Sequence, residues 1–292
     1  MSYKIISDST ANLSDEFIEQ AGIRITSLEF IVDGQSYRAY VEGVETDYKK
    51  FYRMMRDGKV VKTSLVPTTE VERVLRSCFD AGYDVLYIGF DSALSATYEQ
   101  ASAQMQGIQA AEYPERKLRC VDSLAAALGH GLLVYEAVRK RDEGCGLDEL
   151  ADWLEQNRLT FAHWFTVEDL EYLRRGGRLS KGSAFAGTLL DIKPVLHVDE
   201  IGRLVPVEKI RGRKKSIKAL LNRYVTSARE PRSELPVFIS HGDCQEEAEA
   251  LADMIKAESG AQNFVINQLD PVIGAHSGPG TIALFFLTDQ PR

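Results

Sequence analysis

The chain has 292 residues, and at roughly 100–200 residues per domain this length predicts two domains. The composition is 44% hydrophobic and 27% charged, as in ordinary globular proteins, and the net charge of −8 argues against general nucleic-acid binding. The four cysteines are scattered without a Cys-x-x-Cys pair, which argues against a zinc site or a disulfide framework and predicts a cytoplasmic protein. We expect neither a signal peptide nor a membrane span, since no long apolar run is present.

Predicted strands and helices alternate through the first half of the chain. "YKIIS" is predicted as a strand, and "SDEFIEQAG" as a helix that Ser14 caps. "RITSLEFIVDGQSYRAYV" predicts a hairpin that turns at Asp33-Gly34. Two further strands are predicted at "DVLYIGF" and "KLRCVDS", and helices at "TDYKKFYRMMRDG", "TTEVERVLRSCFDAG", "SATYEQASAQMQGIQAA", "LAAALGHGLLVYEAVRKRDEG" and "GLDELADWLEQNR". This alternation predicts an α/β fold with a mostly parallel sheet and helices on both faces.

The second half differs because it contains a predicted hairpin, "PVLHVDEIGRLVPVEKIR". "SKGSAFAGTLLDI" is predicted to be helical up to Lys193-Pro194. The other predicted strands are "LTFAHWFTV", "LPVFISHGD", "NFVINQL" and "TIALFFL", and the other helices are "EDLEYLRRGG", "RKKSIKALLNRYVTSAR" and "EEAEALADMIKAESG". We therefore predict a two-domain chain, with an α/β domain at 1–158 and a second, smaller split α/β domain at 159–292.

Short polar residues recur where predicted elements end. The segments are "SDST" at 7–10, "VKTS" at 61–64, "DSALSATY" at 91–98 and "VDS" at 121–123. Helix capping explains any one of them, because Ser, Thr and Asp are favoured caps. Their recurrence favours a cradle for a polar ligand, since ligands of open α/β sheets collect at the carboxyl ends of strands.

Familiar catalytic signatures are missing from the sequence. It has no Gly-x-Ser-x-Gly elbow, no phosphate-binding Gly-x-x-x-x-Gly-Lys loop and no Gly-x-Gly-x-x-Gly. No His, Cys and carboxylate cluster has metal-ligand spacing. His130, His163 and His197 lie in apolar segments, which predicts packed histidines rather than ligands.

His276 stands apart because glycines surround it in "PVIGAHSGPGTIALFFL". Three interpretations are open: a catalytic base, a donor to an anion, or a residue of a surface loop. Glycines let the backbone approach a ligand and direct N–H groups at an anion. Together with the Ser and Thr hydroxyls, His276 would suit a carboxylate or phosphate. A hydrolytic site is less well supported, because no second base or activated nucleophile is evident.

The segment from Arg203 to Arg223 is strongly basic. It carries eight Lys or Arg residues, with Glu208 as its acid, and Arg174, Arg175, Arg178 and Lys181 lie upstream. Such runs are usually solvated helix faces. The alternatives are a docking face for an acidic partner or, less favoured, a DNA-binding surface.

An ordered set of motifs resembles the DegV family, the bacterial fatty-acid-binding subunits of fatty acid kinase. The motifs are "SDST", "KTS", "LSATY", "VDS", "TVEDLEYLRRGGRLS", "KPVL", "HGD" and "GAHSGPG", and they cover nearly the whole chain. The chain departs from the usual family pattern at Ala96, where glycine is common, and at Leu65-Val66 after "KTS".

The resemblance implies that an acyl chain lies in a buried tunnel and that the carboxylate lies near the domain junction. It implies that Thr63 and Ser95 hold the carboxylate with His276 nearby, and we add Ser64 and Gly278 to this ligand-binding set. It also implies that Arg178 faces the kinase, and we add Arg211 and Arg213 to this partner-binding set. Neutral hydroxyls would hold the carboxylate without a salt bridge. The segment "SAFAGTLLDI" would supply a tunnel wall, with core packing as an equal alternative.

In this interpretation the protein is not itself an enzyme. It takes a long-chain fatty acid as ligand, requires no metal or other cofactor, is a monomer when free, and presents the carboxylate to an ATP-dependent kinase in phospholipid metabolism. The alternative is a stand-alone hydrolase or transferase acting on a small phosphorylated or carboxylated substrate.

Overall fold

A computed structural model describes residues 2–179 and 191–292 of the chain. In the first half, the strands and helices are β1 (Tyr3–Asp8), α1 (Asp15–Ala21), β2 (Arg24–Thr26), β3 (Glu29–Val32), β4 (Gln35–Arg38), α2 (Tyr48–Arg56), β5 (Val61–Ser64), α3 (Thr68–Asp80), β6 (Asp84–Gly89), α4 (Thr97–Glu112), β7 (Leu118–Asp122), α5 (Ala127–Asp142) and α6 (Leu147–Asn157). In the second half they are β8 (Phe161–Thr166), α7 (Glu171–Arg175), β9 (Ile192–Val198), β10 (Leu204–Arg211), α8 (Arg213–Ser227), β11 (Val237–His241), α9 (Gln245–Ser259), β12 (Phe264–Gln268), α10 (Pro271–Ser277) and β13 (Ile282–Leu287).

The first half contains the predicted parallel sheet, with the strand order β2-β1-β6-β7. Strand β6 is buried along its whole length, as its continuous apolar sequence predicts for a parallel strand covered on both faces. Helix α3 packs against α4, and α5 packs against α6. Ser14 caps α1 as predicted, because its side chain accepts a hydrogen bond from the backbone N–H of Phe17.

A small antiparallel sheet, β4-β3-β5, lies beside the parallel one. The hairpin β3-β4 turns at Asp33 and Gly34, whose φ angles of 51° and 82° explain why this Asp-Gly pair forms the turn. Strand β5 was not predicted as a strand. It pairs with β3 so that Thr63 lies opposite Phe30, and this pairing fixes the position of the "KTS" segment.

The second half forms a mixed sheet with the order β10-β9-β8-β13-β11-β12. The hairpin prediction is confirmed, since β9 and β10 pair antiparallel, and the mostly parallel character belongs to the first half alone. Only β11 and β12 pair in parallel among the described strands of this sheet.

Strand β13 is buried on both faces, which explains its uninterrupted apolar sequence. Ala283 and Phe285 face a core shared with the first half of the chain. Leu284 and Phe286 face a second core under α8 and α9. The apolar core therefore continues across residues 158–159, and the domain boundary there stays a prediction.

Two segments of the second half differ from their predictions or lie outside the described residues. His276 was expected in a glycine-rich loop, but it lies in the last turn of the short helix α10, so the loop prediction was wrong. The predicted wall helix "SKGSAFAGTLLDI" falls mainly on residues 180–190, outside the described residues, and its end Ile192 begins β9.

Candidate functional site

Helix α10 positions His276. Asp270 caps the helix by accepting hydrogen bonds from the backbone N–H groups of Val272 and Ile273, and Pro271 begins it, where its missing N–H costs nothing. Burial raises the pKa of Asp270 to about 7. Tyr52 of α2 donates its hydroxyl to the carbonyl of Leu269 and so holds the start of the helix.

His276 reaches across to the small sheet. Its Nε2 lies 2.8 Å from Oγ1 of Thr63 on β5. Burial, with a smaller contribution from Arg178, lowers the pKa of His276 to about 4, so the ring is neutral near pH 7. Its Nδ1 is buried without a hydrogen-bond partner in the described chain. A Cβ at Gly176 would overlap this Nδ1, so glycine is required for the close approach of α7.

Arg178 lines the same cavity as His276 and follows the end of α7 by three residues. Its Nε donates to the carbonyl of Leu94 at 3.1 Å and its Nη1 to the carbonyl of Gly176 at 2.7 Å. Its side chain is half-buried, and burial lowers its pKa. Among the described residues no carboxylate pairs with Arg178, so a positive charge stands next to His276 without a counter-charge.

Ser95 serves two purposes. Its Oγ accepts a hydrogen bond from the backbone N–H of Thr97 and donates to the Thr97 hydroxyl, which fixes the start of α4. Its side chain also lines a cavity together with Thr63, Ser64, Arg178 and His276. The capping and ligand-cradle interpretations are therefore compatible here.

The cavity between the two halves is mostly apolar away from these residues. The cavity volume, measured as the space that the centres of water molecules can occupy, is about 120 Å³. One buried water needs roughly 10–15 Å³ on the same measure, so the cavity is several times larger than a single water site. The apolar lining comes from both halves: Leu28, Leu65, Phe90, Leu94, Ala126, Ala127, Phe165, Leu173, Val198, Leu204, Leu269, Val272, Ile273, Ala283 and Phe285.

Sequence reasoning missed three polar residues of this lining: Ser277, His163 and Thr281, whose hydroxyl binds the carbonyls of Ser277 and Gly278. Ser277 follows His276, is buried, and its Oγ has no hydrogen-bond partner among the described residues. His163 was predicted to be a packed histidine. It is buried, but its ring lines the cavity. Gly129 is the one sequence feature connected with the placement of His163, because its missing side chain leaves room for the ring. The contact between the two residues is evident only in the fold.

Other predicted ligand residues lie elsewhere. Gly278 does not line the cavity: it ends α10 at a φ of 84° and packs against the ring of Tyr172. In "SDST" the side chain of Asp8 binds the backbone N–H of Thr10 and of Phe90, which ties β1 to β6. The hydroxyl of Ser123 is occupied by the backbone of Ala125. Capping and loop closure explain these positions.

The three arginines predicted to bind a partner lie in different environments. Arg178 lines the cavity rather than a separate outer face, and its role toward a partner stays a prediction. The Arg211 side chain is 82% exposed, 3.8 Å from Asp191. Arg213 is largely buried and pairs with Glu247.

The basic segment is less positive than its sequence indicates. Arg203 pairs with Asp199 and Arg223 with Glu208. Acids outside the segment thus pair with Arg203 and Arg213, and the segment's own Glu208 pairs with Arg223, while Lys214, Lys215 and Lys218 are exposed on α8. A DNA-binding surface gains no support from this arrangement.

The polar groups of the cavity lining have a chemistry suited to an anion rather than to catalysis. Thr63 and His276 are spaced like a nucleophile and its base, but in the usual catalytic arrangement a third group orients the other nitrogen of the base. The described residues place no such group on Nδ1. Hydroxyls, a neutral imidazole and an unpaired guanidinium are suited to binding a carboxylate.

Neither a metal nor a membrane span is part of the described architecture. Residues 2–179 and 191–292 contain no cluster of three or more His, Cys, Asp or Glu side chains suited to a metal ion. Over the same residues, none of the helices combines the length and the apolar character needed to cross a bilayer.

Known proteins resemble this chain along its whole length. A DegV domain-containing protein of Clostridium perfringens is 37% identical over 98% of both chains. A solved DegV family structure from Thermus thermophilus, described as binding fatty acid, superimposes with a TM-score of 0.87 at 29% identity, over 99% of this chain and 100% of that one. A stearic acid-binding protein from Eubacterium ventriosum gives a TM-score of 0.88 at 25% identity over 98% of each.

A family model described as an uncharacterised protein of the DegV family matches residues 2–289. The motifs at Thr63, Ser95, Arg178 and His276 lie within this match, and the fold agrees with that of the solved members. The chain therefore belongs to the DegV family.

Proposed function

We propose that the protein binds a long-chain fatty acid in the cavity, with the carboxylate at the anion cluster formed by Thr63, Ser95, Arg178 and His276. The observation that carries this proposal is the combination of an apolar cavity with an unpaired guanidinium and two hydroxyls in its lining. The fatty acids bound by the structural neighbours support the same ligand class.

The energetics favour a division of tasks between tail and head group. Burial contributes roughly 0.8 kcal/mol per CH₂, so a 16-carbon tail gains on the order of 10 kcal/mol before ordering costs. A hydrogen bond to a charged group contributes about 1.5–3 kcal/mol. The tail therefore supplies most of the affinity, and the anion cluster fixes where the carboxylate lies.

We further propose that the bound carboxylate is presented to a separate ATP-dependent kinase. One carboxylate oxygen attacks the terminal phosphorus of ATP, which yields an acyl phosphate and ADP. His276 Nδ1 has no residue that orients it, as a catalytic base would have. This favours presentation to a kinase over a stand-alone hydrolase, since the chain then needs no base of its own. Exposed Arg211 is the partner-binding residue best placed to meet an acidic surface.

The cytoplasm is the proposed location, in line with four cysteines that form no disulfide.

The test combines lipid analysis with a double substitution. Protein purified from bacteria is expected to release long-chain fatty acid on denaturation, detected by mass spectrometry. Thr63→Ala/Ser95→Ala is expected to weaken palmitate binding, by about 1–3 kcal/mol for each lost donor, and to reduce acyl phosphate formation with the kinase further, because the tail still binds.

Thr226→Ala/Ser227→Ala is the matched control, because these exposed hydroxyls bond only to carbonyls of their own helix. It should bind and turn over like the unsubstituted protein. Protein that neither contains fatty acid nor takes up palmitate or oleate contradicts the binding proposal. Normal binding and turnover in Thr63→Ala/Ser95→Ala would place the carboxylate elsewhere.

A further inference from the structure

His163 on β8 is a buried polar side chain that the head-group site does not use. It is 2% exposed, and neither Nδ1 nor Nε2 has a hydrogen-bond partner within the described residues. Burial places the pKa of the ring well below its ordinary value, so it is neutral. A neutral imidazole offers one N–H donor and one nitrogen acceptor, and here both are unused.

The ring of His163 belongs to the cavity lining. It contacts Phe285 edge to face, with ring centroids 5.3 Å apart. Both rings pack against α5, where a Cβ at Gly129 would overlap His163 and Phe285. The neighbours thus hold the ring in place, while its two nitrogens lie in apolar surroundings without a hydrogen-bond partner.

Strand register shows how far His163 lies from the head-group end. His163 is opposite Phe285 on β13, and Phe165 is opposite Ala283, so the cavity follows this strand pair. Thr281, which also lines the cavity, bonds to the carbonyls of Ser277 and Gly278 at the end of α10. Phe285 is four positions after Thr281, which corresponds to roughly 13 Å at about 3.3 Å per residue. His163, opposite Phe285, therefore lines the cavity away from the end of α10 that carries His276.

An unpaired donor and acceptor in an apolar cavity lower stability and gain nothing from a saturated tail. A phenylalanine or leucine at this position would pack against Phe285 without that cost. A hydroxyl group on the tail could accept from the imidazole N–H or donate to its other nitrogen, so it would satisfy one of the two groups that the protein leaves unpaired. The chemistry of the residue thus matches an oxygen-bearing chain better than a plain one.

We propose that His163 is a specificity-determining contact for the middle of the acyl chain, and that the cavity takes long-chain fatty acids with a mid-chain hydroxyl group. This inference rests on the proposed fatty-acid binding and adds the chemical class of the chain. His163 is a binding residue, not a catalytic one.

The first experiment needs no substitution. Delipidated protein is titrated with stearate and with hydroxystearates that carry the hydroxyl at successive mid-chain positions. At least one hydroxystearate is expected to bind as tightly as stearate or more tightly, and others to bind more weakly. If every isomer binds more than tenfold more weakly than stearate, the proposal is overturned, and a trapped water or a packed ring is the better description of His163.

The second experiment uses His163→Phe, which keeps a planar ring and removes both nitrogens. The affinity for the preferred hydroxystearate, relative to stearate, is expected to fall about tenfold or more, while stearate binds at least as well. His197→Phe is the matched control, since His197 is partly buried and stacks on Trp164 away from the cavity. That variant should keep the original ratio.

An unchanged ratio in folded His163→Phe overturns the proposal. If His163→Phe does not fold, the ligand series on the unsubstituted protein decides. The experiments distinguish failure of the proposed function from failure of this inference. Absence of stearate binding overturns the proposed function. Stearate binding with rejection of every hydroxystearate overturns this inference alone.

Discussion

Arg178 changes the electrostatic description of the site at the scale of single residues. Neutral hydroxyls alone were expected to hold the carboxylate, but the structure adds a guanidinium that lacks a carboxylate partner in the described chain. Two of its N–H groups already bind the carbonyls of Leu94 and Gly176. These bonds orient the side chain before a ligand arrives, which lowers the ordering cost of binding.

Arg178→Met should therefore weaken fatty-acid binding about tenfold or more, because a charge-assisted hydrogen bond contributes about 1.5–3 kcal/mol. Calorimetric titration with palmitate measures the effect. Arg211→Met is the control, since that side chain is exposed at the surface. Equal palmitate affinity in the two variants would return Arg178 to the partner-binding role predicted from the family resemblance.

At the scale of elements, the end of α7 packs closely against the last turn of α10 because Gly176 has no side chain. Gly176 has an ordinary φ of −72°, so its backbone would accept alanine. The obstacle is steric, because the added Cβ would meet the His276 ring. The contact links the helix that precedes Arg178 to the helix that carries His276.

Gly176→Ala is expected to lower the free energy of unfolding by about 1–3 kcal/mol through overpacking. It should also weaken palmitate binding, because His276 must move away from Thr63. Gly107→Ala in α4 is the control: no atom lies within 4 Å of its added Cβ, and we expect a gain of about 0.5–1 kcal/mol. Urea unfolding and palmitate titration test both, and similar behaviour of the two variants would contradict the steric argument.

At the scale of the whole molecule, a buried carboxyl lies where the two halves meet. Asp91 follows β6 and lies against Gly202 of the β9-β10 turn, where a Cβ would overlap its side chain. The pKa of Asp91 is raised to about 8, chiefly by burial and in smaller part by nearby Asp122, against the lowering effects of the Ala93 N–H and Arg292. Its Oδ1 accepts from the backbone N–H of Ala93, and its Oδ2 has no partner in the described chain.

The raised pKa sets the direction of a pH effect on stability. Between the ordinary pKa of 3.8 and about 8, the folded chain holds a proton on Asp91 that the unfolded chain has lost. The contribution of this residue is therefore full below about pH 4 and declines as the pH rises to 8.

Asp91→Asn cannot ionise and keeps an acceptor for Ala93. Its stability relative to the unsubstituted protein should rise by a few kcal/mol between pH 4 and 8, since one pKa unit corresponds to about 1.4 kcal/mol. Urea unfolding across this range measures it, with exposed Asp253→Asn as the control. Parallel stability curves for Asp91→Asn and the unsubstituted protein would show that Asp91 ionises as freely when folded as when unfolded.

Much of the fold follows from local pattern, whereas parts of the site do not. Alternating apolar segments predicted the order of strands and helices, and Asp33-Gly34 predicted its hairpin turn. Helix α10 was missed because it has only seven residues, contains Gly274 and is followed by Gly278, although Asp270-Pro271 is a recognisable helix start. The surroundings of His163 and Arg178 depend on Gly129 and Leu94, which are distant in sequence, so no local pattern could reveal them.

The position of β13 has a consequence for the timing of assembly. This strand is the last element in chain order, yet it lies inside its sheet between β8 and β11. During synthesis, β8 and β11 leave the ribosome well before the strand that joins them. The wall formed by Ala283 and Phe285 is then still absent, and His276 has only just been made. The wall of the cavity that β13 supplies is consequently completed only after the two strands beside it have been synthesised.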